Sequence, residues 1–290
     1  MKLESAVQHR YSGAAKTPEA ALCCPVQYDA RYLEAIPAEV IEKDYGCGDP
    51  SQHVRPGEAV LDLGSGTGKI CFIASQVVGP EGRVVGIDMT DEMLEVARRN
   101  APIVAARIGH ANVEFRKGRI QDLALDLERL EAELKVHPIA DADSFLATAD
   151  RADDLRRSHP MVASDSIDVV VSNCVLNLVE TRARKQLFRE IFRVLKTGGR
   201  AVISDIVADE PVPEDMRNDP ELWSGCISGA MTQDAFQNAF IEAGFDCAEF
   251  ISVGQDAWQT VRGIAFRSVT VQACKGAPRA CCEPGNGACS

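Results

Sequence analysis

The stretch VLDLGSGTGK, residues 60–69, decides the fold. Its apolar start belongs to the run Glu58–Leu63 (EAVLDL), which reads as a buried strand, and it breaks into Gly64, Gly66 and Gly68 where a helix over Lys69–Val78 can begin. Glycine there lets the chain turn sharply and brings backbone N–H groups at a helix N-terminus close to a ligand. The alternation continues outward. Residues 83–87, 112–116, 167–171 and 200–206 read as further short strands. A helix over Asp91–Ala101 carries Met93, Leu94 and Ala97 on one face, and a clearer one over Thr181–Leu195 carries Leu187, Phe188, Ile191 and Val194 before Gly198-Gly199 stops it. Strands alternating with helices imply a parallel sheet covered on both faces. The rhythm then breaks: after a helix capped by Thr232 and ended by Gly244, the runs Cys247–Val253 and Ile264–Ala273 leave little room for a helix between them and should pair antiparallel. The expected architecture is α/β, a mostly parallel seven-stranded sheet with a C-terminal antiparallel strand pair.

A chain of 290 residues can bury a full core, and 46% hydrophobic with 26% charged residues is ordinary globular composition. A formal net charge of −12 offers no basic face to phosphate backbones, which argues against nucleic acid or an anionic membrane surface as partner. The start MKLESAVQHRYSG has no apolar leader core, and no run approaches the roughly eighteen apolar residues of a membrane span. The expectation is a cytoplasmic protein, monomeric by default, with a small-molecule substrate. Eleven cysteines is a high and odd count. In a reducing compartment that leaves core packing, metal ligation or thiol chemistry, and the absence of any C-x-x-C pair argues against structural zinc.

Asp88 ends the second strand, twenty residues past Gly68, where a carboxylate can accept from both ribose hydroxyls. Glycine loop and acid together make a nucleoside site. The dinucleotide fingerprint needs Gly or Ala at position 69, where this chain has Lys69. The spacing Asp62-x-Gly64-x-Gly66-x-Gly68 instead resembles motif I of the class I S-adenosylmethionine methyltransferases, whose Rossmann-like fold also ends in an antiparallel pair. That resemblance implies S-adenosylmethionine as cofactor, with Tyr45, Asp62, Gly64, Ser65, Gly66, Gly68, Asp88, Met89, Ile120, Gln121 and Asn173 as its contacts. Tyr45 could cover the sulfonium with its ring.

In an open α/β sheet ligands bind beyond the carboxyl ends of the strands, so Cys174, in SNCVLNL (172–178), faces the methyl donor's side. Cys226, in GCISGA (225–230), can roof the same edge, while Cys47, in YGCG (45–48), and Cys71, behind motif I, can approach from the other side. Together these contexts resemble the arsenite S-adenosylmethionine methyltransferases over about residues 28–255. The resemblance implies methyl transfer to trivalent arsenic. It implies catalytic Cys47, Cys71, Cys174 and Cys226: Cys174 and Cys226 holding arsenic throughout, Cys47 as a further ligand, and Cys47 with Cys71 starting the cycle and forming a disulfide during it. This chain has Lys69-Ile70 where the family commonly carries Arg-Asp. Thiolates are the soft ligands that suit trivalent arsenic. Arsenic's own lone pair attacks the methyl, so no general base is required, and an external thiol, glutathione or thioredoxin, must reset any oxidised pair.

The implied layout is an N-terminal segment over residues 1–56 contributing to the site, a cofactor-binding core over 57–207, an arsenic-binding segment with the terminal strand pair over 208–275, and a flexible tail over 276–290. Residues 121–164 read as a helical insertion that could lid the cofactor edge or decorate the surface, decoration being the favoured reading. The pairs Cys23-Cys24 and Cys281-Cys282, with Cys289, could capture arsenite from flexible flanks; Cys247 and Cys274 read as core. Two competing readings remain open: a methyltransferase of an ordinary carbon, nitrogen or oxygen acceptor, indifferent to thiol blocking, and a thiol-rich metalloid buffer, which would have no use for a nucleoside site.

Overall fold

The computed structural model describes residues 3–17, 19, 26–43 and 45–276. The expectations for Cys23, Cys24, Cys281, Cys282, Cys289 and the tail beyond residue 276 lie outside those residues. The N-terminal segment forms α1 (Leu3–Lys16), the short α2 (Ala30–Leu33) and α3 (Ala38–Glu42), and a 3-10 turn at Pro50–His53. The core follows as β1 (Ala59–Leu63), α4 (Lys69–Val78), β2 (Arg83–Asp88), α5 (Asp91–Ile108), β3 (Val113–Lys117), α6 (Leu127–Val136), α7 (Ala142–Ser158), β4 (Ile167–Asn173), α8 (Thr181–Val194) and β5 (Leu195–Ala208). It closes with α9 (Glu214–Arg217), α10 (Pro220–Ser224), α11 (Gln233–Ala243), β6 (Cys247–Val253), β7 (Gln259–Val261) and β8 (Ile264–Cys274).

The strands form one sheet in the order β3-β2-β1-β4-β5-β8-β6, parallel from β3 to β5 and antiparallel at β5–β8 and β8–β6. The expected seven strands are joined by an eighth, the three-residue β7, which pairs with β8 across a tight turn at Arg262-Gly263, both at positive φ. β1 is buried at every position, as a central parallel strand covered on both faces requires. One face packs against Leu187, Phe188 and Ile191 of α8 and Phe236 and Phe240 of α11. The other packs against Cys71, Phe72 and Ile73 of α4 and Leu94, Ala97 and Val104 of α5. Each Leu, Ile, Val or Phe among them stabilises the fold by about 1.5–3 kcal/mol on burial.

α5 corrects one expectation. The helix was to stop at Ala101, ahead of Pro102, yet it runs to Ile108 and ends on Gly109 at φ 83°. A proline inside a helix costs about 3 kcal/mol or more; Val104 and Ile108, both packed into the α4–α5 cluster beyond Pro102, offset it. No described helix is long and apolar enough to cross a membrane. The parallel strands all point their carboxyl ends to one edge of the sheet. Leu63, Asp88 and Asn173 therefore meet there, and a third apolar cluster containing Cys47, Cys174 and Cys226 caps that edge.

Candidate active site

The glycine loop leaves β1 with Gly64, Gly66 and Gly68 at φ 70°, 52° and 94°, values that L side chains adopt only with strain. A Cβ at Gly64 would lie 2.5 Å from Val175, while Gly66 faces open space. Gly64 and Ser65 donate their N–H groups to Ile87 O at 2.8 and 3.0 Å, tying the loop to β2. Asp88, expected at a ribose, also braces this loop: its Oδ2 accepts from Gly66 N at 2.9 Å and its Oδ1 from Thr90 N at 2.8 Å. Burial raises the Asp88 pKa although these N–H groups pull it down.

A cavity of about 400 Å³ opens over the loop, within the size range of small-molecule sites. Its walls include Asp62, Gly64, Ser65, Gly66, Asp88 and Met89 at one side, Ile120 and Gln121 at another, and Tyr45, Asn173 and Cys174 towards the thiols. Gly68 alone among the expected cofactor contacts is not in the wall; its Cα packs under Phe115 and Phe72 and starts α4. The residues fit a nucleoside-bearing sulfonium. Among the described residues, the one buried side-chain polar atom without a hydrogen-bond partner is Ser65 Oγ, and it lies in this wall. A buried hydroxyl left unmatched is the mark of a polar ligand's position.

Three of the four cysteines come together. Cys47 and Cys174 are joined as a disulfide with Cα atoms 5.9 Å apart, and Cys226 Sγ donates to Cys174 O at 3.1 Å. Cys71 belongs to the other face of the sheet: it is fully buried in the α4 cluster, its thiol donates to Asp62 Oδ2 at 3.2 Å, and burial, then the Asp62 charge, raises its pKa. In this structure Cys47 is bonded to Cys174, not to Cys71, the partner the resemblance implies during the cycle. The reason is positional. Asn173 Oδ1 accepts from the N–H of Cys47 at 2.9 Å and of Gly48 at 3.1 Å, seating residues 46–48 on the end of β4 beside Cys174, whereas Cys71 points inward from the first turn of α4. Cys174 and Cys226 share a further feature: both sit at positive φ, 58° and 63°. For a residue with a Cβ that costs about 1–3 kcal/mol, and such strain concentrates at functional sites.

The turn after Cys174 hangs on Asp205 of β5. Its Oδ2 accepts from the N–H groups of Leu176 (2.9 Å) and Asn177 (3.3 Å), its Oδ1 from Asn177 Nδ2 and Ile206 N, both at 2.8 Å. Burial outweighs these bonds and pushes the Asp205 pKa up to about 6. With the folded value above the unfolded one, the group's contribution to stability is complete below about pH 4 and is lost as pH rises through about 6. Relative to Asp205→Asn, the native chain is expected to gain about 2 kcal/mol between about pH 7.5 and about pH 4.5 in urea unfolding. Parallel pH curves for the two proteins would remove the assignment.

Two contributors escaped the sequence reading. Tyr11 of α1 lines the cavity, packs edge-on to Tyr45 at 6.2 Å and hydrogen-bonds Cys226; burial, then that thiol, raises its pKa well above a free phenol's. Tyr45 in turn donates to Ala14 O at 3.0 Å. Arg156 of α7 also reaches the cavity wall, paired with Asp122 at 2.9 Å. Of the two readings of the insertion, a lid on the cofactor edge or surface decoration, decoration was favoured; its second helix instead places Arg156 in the cavity wall. Neither residue stands in a local pattern that sets it apart from a surface polar residue.

Residues 55–244 match the methyltransferase-domain family, about two thirds of the chain. The chain belongs to this family of methyltransferases. The fold is accordingly that of the class I S-adenosylmethionine-dependent enzymes. The methyltransferase is 38% identical over 224 residues to an arsenite methyltransferase of Halobacterium salinarum, covering 77% of this chain and 46% of the relative. It is 36% identical over 213 residues to an arsenite methyltransferase of Aquipseudomonas alcaligenes, covering 73% of this chain and 51% of the relative. It therefore spans about half the length of the curated relatives it matches. A crystal structure of an arsenic(III) S-adenosylmethionine methyltransferase from Chlamydomonas reinhardtii superposes with a TM-score of 0.68 at 28% identity, covering 88% of this chain and 76% of that one.

Proposed function

We propose that the methyltransferase moves the methyl group of S-adenosylmethionine to trivalent arsenic held by Cys174 and Cys226, with Cys47 as a third ligand. The observation that carries the reading is the meeting of these thiols at the mouth of the nucleoside cavity, with Cys174 in its wall. When bound, S-adenosylmethionine supplies an electrophilic methyl on a cationic sulfur. Among the residues of the cavity wall, Gly64, Ser65, Gly66 and Asp88 would hold its polar parts, Ile120 and Met89 its base, and Tyr45 and Tyr11 would offer their rings to the charge.

The Cys47–Cys174 disulfide opens first. Two external thiols, from glutathione or thioredoxin, deliver two electrons and two protons, leave as their own disulfide, and return both cysteines as thiols. Arsenite then exchanges hydroxides for sulfur, each As–S bond releasing one water built from the hydroxide and the thiol proton. Three thiols on a preformed edge would align the arsenic lone pair with the methyl, so orientation would do most of the catalysis. S-Adenosylhomocysteine would leave, and the two electrons that arsenic gives up to the new As–C bond would be returned by two thiols that close as a disulfide, which the external thiols then reopen. In this reading Cys71, buried on Asp62, acts by steadying motif I or by joining the thiol cycle after a rearrangement of α4's first turn. The enzyme is proposed to act as a monomer in the cytoplasm, where thiol reductant is present.

The test is direct. Reduced protein with arsenite, S-adenosylmethionine and glutathione is expected to release methylated arsenic, detected by chromatography with mass detection, and protein blocked with N-ethylmaleimide should release none. Tight S-adenosylmethionine binding without methylated arsenic would move the acceptor to carbon, nitrogen or oxygen.

A further inference from the structure

We propose that Arg184 is the positioning residue that sets the separation of the two thiol-bearing turns. The inference rests on Cys174 and Cys226 being metalloid ligands. Cys174 opens the turn that runs through Asn177 to Val179, and Cys226 lies in the segment from Trp223 to Gly229. Arg184 reaches both. Its Nε donates to Val179 O at 3.1 Å and its Nη2 to Asn177 O at 3.2 Å on the first turn. On the second, the same Nη2 donates to Gly229 O at 2.6 Å, and the guanidinium lies 5.6 Å from the centre of the Trp223 ring.

The position is otherwise unfavourable for a cation. Arg184 stands at the start of α8, whose first turn has no acidic residue and whose dipole repels positive charge there, at a cost of about 0.3–1 kcal/mol. Among the described residues no carboxylate forms an ion pair with it. Burial lowers its pKa to about 10, with the more distant Asp205 carboxylate opposing that shift. A charge kept in such a place is held by the geometry of its planar fork, which three carbonyls on two turns match and which an ammonium group cannot reproduce.

The two turns already touch at backbone distance. A Cβ on Gly229 would lie 1.9 Å from Asn177 O and 2.9 Å from Arg184 Nη2, so any side chain at 229 would push them apart. Trp223 Nε1 adds one more tie, donating to Leu178 O at 3.1 Å. Arsenic bridging two sulfurs requires a fixed S–S span, and a chelate loses affinity steeply once its arms cannot engage together. Arg184 therefore acts through Cys174 and Cys226 without touching the substrate.

The experiment titrates the reduced 290-residue chain with phenylarsine oxide, an arsenical with two positions exchangeable for thiols. It is followed by tryptophan fluorescence, from Trp223, three residues before Cys226, and from Trp258, packed on the same cluster, with Cys226→Ser as blank. S-Adenosylmethionine affinity and the unfolding midpoint are measured alongside. Arg184→Gln is expected to weaken phenylarsine oxide by about tenfold or more, and to raise KM for arsenite, while S-adenosylmethionine affinity and the alkylation rate of Cys226 stay within about twofold of native. Arg184→Lys, which keeps charge and stem, is read if Arg184→Gln does not fold, and is expected to show the same loss. Native binding of phenylarsine oxide by a folded variant, or equal loss of cofactor and arsenical, would overturn the proposal. Failure of the native protein to bind the arsenical would instead sink the functional reading beneath it.

Discussion

Cys226→Ser is expected to lower kcat/KM for arsenite by about a thousandfold, while S-adenosylmethionine binds as before. The size follows from chelation. With Cys226 gone, arsenic loses one arm of the three-thiol site, and the effective concentration that this arm supplied is worth roughly 10²–10⁴. Serine cannot take over the arm: its hydroxyl is a hard donor that stays protonated at neutral pH, whereas trivalent arsenic selects soft thiolate. The substitution is nearly isosteric, and the hydrogen bonds of the thiol, from Sγ to Cys174 O and with Tyr11, are ones a hydroxyl can also make. Cofactor affinity is a clean control because Cys226 is absent from the cavity wall that holds the glycine loop. The check is steady-state production of methylated arsenic beside equilibrium S-adenosylmethionine binding on the same samples. Retention of more than about a tenth of native kcat/KM would remove Cys226 from the ligand set.

What could be read from the sequence was whatever local chemistry determines. Gly64, Gly66 and Gly68 announce a loop because only glycine takes their positive φ at the end of a buried strand. Leu187, Phe188, Ile191 and Val194 announce α8 because its buried face repeats at helical spacing. Misreadings came where tertiary packing overrules a local rule. Pro102 marks a helix end by local sterics, yet Val104 and Ile108 keep α5 going by packing beyond it. β7 is three residues long, below the length at which alternation carries a signal. The cysteines divide in the same way. That Cys174 should stand near the cofactor follows from its place at a strand's carboxyl end, but which thiol it meets depends on Asn173 drawing residues 46–48 over β4, a contact between positions 126 residues apart. Tyr11 and Arg184 were invisible for a related reason: each is a polar residue on a helix, and only the fold shows that its tip is turned to a thiol-bearing turn.

Asn173→Ala is expected to release the segment that carries Cys47. One side chain makes four contacts to it and its neighbour: Oδ1 accepts from Cys47 N and Gly48 N, and Nδ2 donates to Gly48 O at 2.6 Å and to Tyr28 Oη at 3.3 Å. The glycines of YGCG are explained by the same seat. A Cβ on Gly46 would lie 2.2 Å from Asn173 Nδ2, and one on Gly48 2.5 Å from Ser204 Oγ, so the backbone presses directly on the ends of β4 and β5. Truncation to alanine strands the N–H groups of Cys47 and Gly48, while Gly48 O keeps the Tyr28 hydroxyl at 3.2 Å; at about 1–3 kcal/mol for each stranded group, a loss of about 3 kcal/mol in urea unfolding is expected. The chemical consequence is larger than the structural one. Cys47 pairs with Cys174 because the segment is already in place. If about 3 kcal/mol of that placement is removed, the thiol–disulfide equilibrium in a glutathione buffer moves about a hundredfold towards the dithiol, since each 1.4 kcal/mol is tenfold. Alkylation and mass analysis across a series of buffers reads the ratio. Asn173→Asp separates the two halves of the amide: it keeps the acceptor for Cys47 N and Gly48 N but loses the donor to Gly48 O, so its shift should fall between native and alanine. An alanine variant with the native disulfide ratio would mean that Cys47 is seated by the rest of the N-terminal segment and that Asn173 merely fills space beneath it.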